Sequence, residues 1–249
     1  TLVQALALDP RGARLAVAHG GHGGQGGQSG EVLLLDAEGR TSARLPTFGA
    51  AVQHLAWAPG GERLVVDCEN GSLCVWRGDA QGGMALAQVL AVRGAAGGAL
   101  AWSPDGQRLA GGDVGGRLHL WDLGAAPPRS AVLRDAGAPA LADIDVHPDG
   151  QRIAAADVRG QARIWDLASL RVTQRLAHAV GTESRGLHFH PQQPQLSLGT
   201  LGGGVGVFAL DGGALLGSVE GSIDAVAWDR PPTRLLTGGD DGVVIGDPG

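Results

Sequence analysis

A strand, a turn built on proline and a second strand recur along this chain, and that recurrence limits its folding options more than any other feature. The segments read "ALALDPRG", "HLAWAPGG", "ALAWSPDG", "DIDVHPDG", "GLHFHPQQ" and "AVAWDRPP". Pro10, Pro59, Pro104, Pro148 and Pro191 follow one another at 49, 45, 44 and 43 residues. After each segment comes a further apolar run, a glycine-rich turn and then "VLLLDAEG", "LCVWRGD", "LHLWDLG", "ARIWDLA", "VGVFALDG" or "VVIGDPG". Weaker runs such as "SARLPTF", "ALAQVLAV", "RSAVLRD", "RVTQRLAH" and "ALLGSVEG" lie between the units. Short apolar runs bounded by Gly, Pro and Asp are strand signals, and a period of this length marks a repeat architecture. Each unit is therefore four strands, with boundaries near 1–48, 49–92, 93–134, 135–178, 179–220 and 221–249.

The aromatic residues test this division independently. Trp57, Trp102, Phe189 and Trp228 share one column at the end of the first strand. Trp76, Trp121, Trp165 and Phe208 share a second column on the third strand. Only Phe48 falls outside both. Aromatic side chains in fixed repeat positions are core, where they bury the largest apolar areas. No stretch carries an apolar stripe at helical spacing, so the fold class is all-β. A chain of 249 residues is long enough to bury a sizeable core.

"SPDG" followed by "LHLWD", and "HPDG" followed by "RIWD", resemble the WD-repeat β-propeller family, and the resemblance covers nearly the whole chain. It implies a single domain of about six four-stranded blades around a channel, the last blade lacking its fourth strand. The expectation is that the chain is cut from a larger one, which supplies that strand or a seventh blade. The family places Asp before Gly ahead of the third strand. Asp241-Gly242 matches and Asn70-Gly71 comes close, whereas Gly115, Arg159 and Gly202 occupy the position elsewhere. A Gly-His pair before the first strand is also missing, unless His178 stands in for the histidine. The family's turn network is therefore not expected in most blades.

Cys68 and Cys74 are too few for a disulfide scaffold. A two-residue turn at Asn70-Gly71 would set them on opposite faces and a three-residue loop on one face; both read as small buried apolar residues. Net charge is −6, and all 19 cationic side chains are arginine. That bias, with abundant Ala, Gly and Leu, points to a GC-rich, bacterial coding sequence. A mildly acidic surface without basic stripes or free aromatics argues against nucleic acid and anionic membranes as partners. No apolar run approaches a membrane span and no secretion signal opens the chain, so the expected location is cytoplasmic.

Residues 18–30, "AHGGHGGQGGQSG", form the lengthened second-to-third loop of the first unit. The loop lacks the Lys-Ser/Thr of a nucleotide loop and no helix follows it. His19 and His22 have spacing suited to one metal ion, but no thiol or carboxylate is near in sequence, so neither metal nor cofactor is expected. His19, His22 and Gln25 are instead candidates for partner contact on a solvent-exposed insertion. Aligning the first strands brings Gln4, Gln53, His54, Asp143, Arg185 and Asp224 to the channel entrance as a polar rim. Asp145 and His188 occupy a column that is otherwise alanine, at Ala7, Ala56, Ala101 and Ala227, and read as a buried hydrogen-bonded pair between blades.

The resemblance implies a non-catalytic module, monomeric or part of a larger chain, that binds a protein or peptide on the propeller face. One alternative is a sensor or regulatory domain of a larger kinase, protease or ATPase. Another is a metal-dependent propeller hydrolase, which would need three or four converging ligands.

Overall fold

Six antiparallel sheets follow one another along the chain, five of four strands and the last of three. The computed structural model describes residues 3–19, 30–48, 50–79, 83–91, 99–135, 137–178, 182–221, 223–229, 234–239 and 242–246. Within each sheet the strands pair in sequence order, as alternating apolar runs joined by tight turns must. The first strands are Val3–Leu8, Val52–Trp57, Leu100–Trp102, Leu141–Val146, Ser184–Phe189 and Ala225–Trp228. They lie against one another from blade to blade around a common axis. Fourth strands such as Thr41–Pro46 and Arg129–Arg134 stay largely exposed at the outside. The architecture is a β-propeller. The described residues contain no helix, and hence none that is long and apolar enough to cross a membrane.

The core is divided among the seams between neighbouring blades. Five clusters of buried residues each draw from two adjacent sheets. Both aromatic columns lie in them. Trp57 pairs with Leu64, which pairs with Trp76, so two indoles flank one leucine on the face toward the preceding blade. Trp102, Leu109 and Trp121 repeat this in blade three, as do Phe189, Leu196 and Phe208 in blade five. The indole N–H also has a fixed partner one blade back. Trp57 donates to the Ala7 carbonyl at 3.0 Å, Trp102 to the Ala56 carbonyl at 3.0 Å and Trp228 to the His188 carbonyl at 3.4 Å.

The two end blades show the same columns uncovered. Leu8 occupies the register of Trp57 and Val3 that of Val52, yet Leu8 is 63% exposed and Val3 and Leu6 are comparably open. Val243 and Ile245 of blade six stand where Val205 and Val207 lie buried in blade five, and both are exposed.

Tight turns require backbone that side chains resist. Gly116 and Gly160, ahead of two third strands, adopt φ of 71° and 74°. A Cβ on Gly116 would strike the Ala138 carbonyl, and one on Gly160 the carbonyls of Thr182 and His178. The hairpin at Asn70-Gly71 is a three-residue loop: Asp67 pairs with Leu73, and the Gly71 N–H donates to the Cys68 carbonyl at 2.9 Å. Cys68 and Cys74 therefore share one face, both free and buried in the seam between blades one and two. The two thiols hydrogen-bond each other, which pushes Cys68 up and Cys74 down from the ordinary thiol range.

Seam position sets what a large apolar residue is worth. Trp102→Ala is expected to destabilise the protein by about 3–5 kcal/mol, through lost burial and the orphaned Ala56 carbonyl. Leu8→Ala, in the same column, is expected to cost roughly 0.5 kcal/mol or less. Urea unfolding of both variants checks the contrast, and equal costs would contradict the assignment of the core to the seams.

Candidate functional site

Small residues dominate the parts of the first strands that surround the axis. One column reads Ala5, His54, Ala99, Asp143, Gly186 and Ala225; the next reads Ala7, Ala56, Ala101, Asp145, His188 and Ala227. Alanine and glycine leave space there, and a cavity of about 550 Å³ opens at the entrance to the first strands. Its lining includes His54, Ala56, Ala99, Asp143, His188 and Ala225, together with Glu183, Ser184, Arg185 and Asp224. Val158, from a second-to-third turn, borders it too, so those turns share the face with the mouth.

Four of the six rim residues read from the sequence thus converge on one cavity: His54, Asp143, Arg185 and Asp224. Gln4 and Gln53 do not line it. Each is the extra residue of a bulge, between Val3 and Ala5 in one strand and between Val52 and His54 in the other. Both amide oxygens are buried without a hydrogen-bond partner. His19 ends its strand with Nε2 3.6 Å from Glu31 Oε2. His22 and Gln25 lie outside the described residues. Among the described residues no group of three or more His, Cys, Asp or Glu side chains is placed to hold a metal ion.

Several of the polar side chains at the mouth have defined partners. His54 Nδ1 is 3.2 Å from Asp67 Oδ2; burial pushes the Asp67 carboxyl up, and the histidine draws it partly back. Arg185 pairs with Glu183 at 3.0 Å, near the solvent. Asp143 Oδ1 accepts the Ile144 N–H at 2.9 Å. Burial lifts this carboxyl to about 6, against the pull of the Ile144 and Leu187 amides and of His54.

Asp145 and His188 do not form the expected pair. Asp145 Oδ2 accepts the Phe189 N–H across the seam at 2.8 Å, and Oδ1 accepts the Val146 N–H at 2.9 Å. His188 bonds the Val226 backbone, and burial lowers its pKa, favouring the neutral ring. Two backbone N–H groups already satisfy the Asp145 carboxylate, and the Val226 backbone engages the imidazole. Phe189 has no indole N–H with which to reach the preceding blade, and the Asp145 carboxylate provides a polar link at that seam instead. Burial lifts the Asp145 carboxyl to about 7, and the neighbouring Asp143 charge adds to the effect.

The turn network, not expected in most blades, is assembled from other residues. Asp113 Oδ1 accepts the N–H groups of Gly115 and Arg117 at 2.8 and 2.9 Å, and its Oδ2 is 3.0 Å from His119 Nε2. Asp157 likewise takes the N–H groups of Arg159 and Gln161, with Arg163 Nη1 at 2.9 Å. Asp135 closes on Arg163 at 2.6 Å. Burial alone would raise the Asp113 carboxyl, but the His119 and backbone hydrogen bonds hold it below the usual range. The acidic residue sits two positions before the site where the family places it. Its signal was the aspartate that ends the second apolar run in both "GGDVGG" and "AADVRG".

The comparisons agree with this geometry. The family model for the WD domain, G-beta repeat, matches residues 93–122 and 135–166. WD40 repeats are found in these two places. The matched stretches hold the first three strands of blades three and four, with the Asp113 and Asp157 networks and the Trp121-Asp122 and Trp165-Asp166 strand ends. None of the curated proteins compared with the chain matches it. Among solved structures, a chain of "Crystal Structure of Mitotic Checkpoint Complex" superposes with a TM-score of 0.75 at 17% identity, covering 94% of this chain and 73% of that one. At that identity the likeness is one of fold.

The Asp145 carboxyl gives stability a definite pH dependence. Its folded-state pKa lies above the unfolded value, so the folded protein binds more protons between pH ~4 and ~7. This contribution therefore falls as pH rises through that window. Asp145→Asn removes it, and the stability of the variant relative to wild type is expected to improve from pH 4 to about pH 7 and then level off. Urea midpoints measured across the range check this; two parallel curves would contradict it.

Proposed function

We propose that this chain is a non-catalytic interaction module that holds a protein or peptide at the mouth of its channel. The observation that carries the reading is the convergence of His54, Asp143, Arg185 and Asp224 on one open cavity among the first strands of successive blades. Concave sites with a few convergent polar groups are where ligands bind. WD40 propellers typically serve as scaffolds for protein interactions, which supports the same class of function.

The arrangement of side chains at the mouth supports the non-catalytic reading. Ser184 and His188 line the same cavity, but the Ser184 hydroxyl has no hydrogen-bond partner and His188 engages the Val226 backbone. Acyl transfer needs a nucleophile in hydrogen-bond contact with its base, and that contact is not formed. Fold alone does not set function, so the reading rests on the site.

Affinity capture from a native lysate, with wild-type protein and the Arg185→Ala/Asp224→Ala variant as parallel baits, tests the reading. The expected result is a partner enriched by the wild type and depleted at least about tenfold with the variant, as loss of two central polar contacts implies. Identical sets of captured proteins would place recognition elsewhere.

A further inference from the structure

We infer that the open sides of blades one and six are the two walls of a single docking slot. Its occupant is a further four-stranded β-blade, supplied by polypeptide other than residues 1–249 and carrying an aromatic residue at the end of its first strand. The slot lies at the flank of the propeller, and the inference does not rest on the reading of the channel mouth.

Five seams join the six blades, and the buried cluster in each draws on consecutive blades. None draws on blades six and one, whose first strands do not lie side by side. Register builds the wall on blade one. Leu6 pairs with Val17, which pairs with Leu33; Leu8 pairs with Leu15, which pairs with Leu35. Residues directly opposite across a ladder share one face of the sheet, so these six side chains form a continuous apolar surface. Leu6 and Leu8 are 60% and 63% exposed, and the other four are half-buried. Their alternates Ala16, Ala18, Val32 and Leu34 are buried against blade two. On blade six, Val243 and Ile245 are 75% and 54% exposed and share a face with Ala225, Ala227 and Leu236. Contiguous apolar faces of this kind mark interaction sites.

The established seams specify what covers such walls. Leu8, Leu15 and Leu35 stand in the register of Val146, Ile153 and Trp165, which share a cluster with Ala110, Leu118 and Leu133 of blade three. The wall on blade one therefore calls for small and branched aliphatic side chains. Ala227 stands in the column of Ala7 and Ala56, whose carbonyls accept the indoles of Trp57 and Trp102 from the next blade. Among the described residues no indole reaches the Ala227 carbonyl, so the wall on blade six calls for an aromatic residue that ends a first strand. A blade carries both on its opposite faces. Blade three does so, with Trp102 and Trp121 toward blade two and Ala110 and Leu118 toward blade four. A second copy of the chain would cover one wall at a time, because its end blades are already covered on their other faces by blades two and five.

The probe is a copy of residues 79–134, which holds the fourth strand of blade two and all of blade three, joined after residue 249 of the whole chain. Relative to the unextended chain, fluorescence of bound anilinonaphthalene sulfonate is expected to fall several-fold, since the dye reports exposed apolar surface. The urea midpoint is expected to rise by about 1 M or more. Leu8→Asp and Ile245→Asp are each expected to remove most of that gain from the extended chain. In the unextended chain both leave the midpoint nearly unchanged, because the two side chains are exposed there. Equal midpoints and equal dye binding for the extended and unextended chains would overturn the inference. Sedimentation equilibrium of the unextended chain adds a check that does not depend on the extension, and a monomer that binds the dye is expected. A dimer that Leu8→Asp converts to monomer would assign the slot to a second copy. A monomer that binds no dye would mean that the two walls cover each other. Either result overturns the inference.

Discussion

A blade of this protein cannot bury itself; it is covered only by its neighbours. Each sheet is apolar on two faces, and a single four-stranded sheet has nothing to put against either. The seams resolve this, with large aromatic side chains on one blade packed over the small and branched residues of the blade before it. The Trp57 and Trp102 indoles fix the relative height of the sheets by donating to carbonyls at Ala7 and Ala56. An aromatic body brings area and its N–H brings register, so one residue type meets both demands. Everything at the channel depends on that geometry, because the seams set how far apart the first strands stand.

The seam between blades four and five illustrates the constraint by departing from it. Phenylalanine at position 189 provides the apolar body without the donor. A carboxylate from the alanine column takes up the polar link, at the cost of burying an ionisable group. That substitution gives the channel its asymmetry: alanine or glycine on most walls, Asp143 and Asp145 on one strand, and His188 on the next. A feature that begins as seam chemistry thus contributes to an acidic recess beside the mouth. The cavity exists because the other first strands offer no side chain large enough to fill it.

Much of this was legible in the residues. The period, the proline turns and the two aromatic columns identified the blades, since strand alternation and burial leave direct traces in sequence. His54, Asp143, Arg185 and Asp224, picked out near the starts of aligned strands, line one cavity. Gln4 and Gln53 share the register of Ala142, which lines the cavity, yet do not line it themselves. Glu183 and Ser184 also border the cavity, but the counterparts of Ser184 in other blades, Val52 and Leu141, are apolar core and did not mark it. The Asp113 and Asp157 networks were missed because the carboxylate had moved two residues upstream, while its oxygens still reach the same turn.

By itself, then, the sequence determined local character: which segments are strands, which side chains are core, and that six similar sheets must cover one another. Those properties follow from short-range periodicity and hydrophobic burial. Tertiary structure alone decided which polar atoms meet. Whether Cys68 faces Cys74 turned on one residue of loop length. Whether Asp145 bonds His188 or the Phe189 backbone turned on how two strands meet across a seam. Such choices depend on placement to within an ångström or so across a seam, because a hydrogen bond fades over that distance while hydrophobic burial hardly changes.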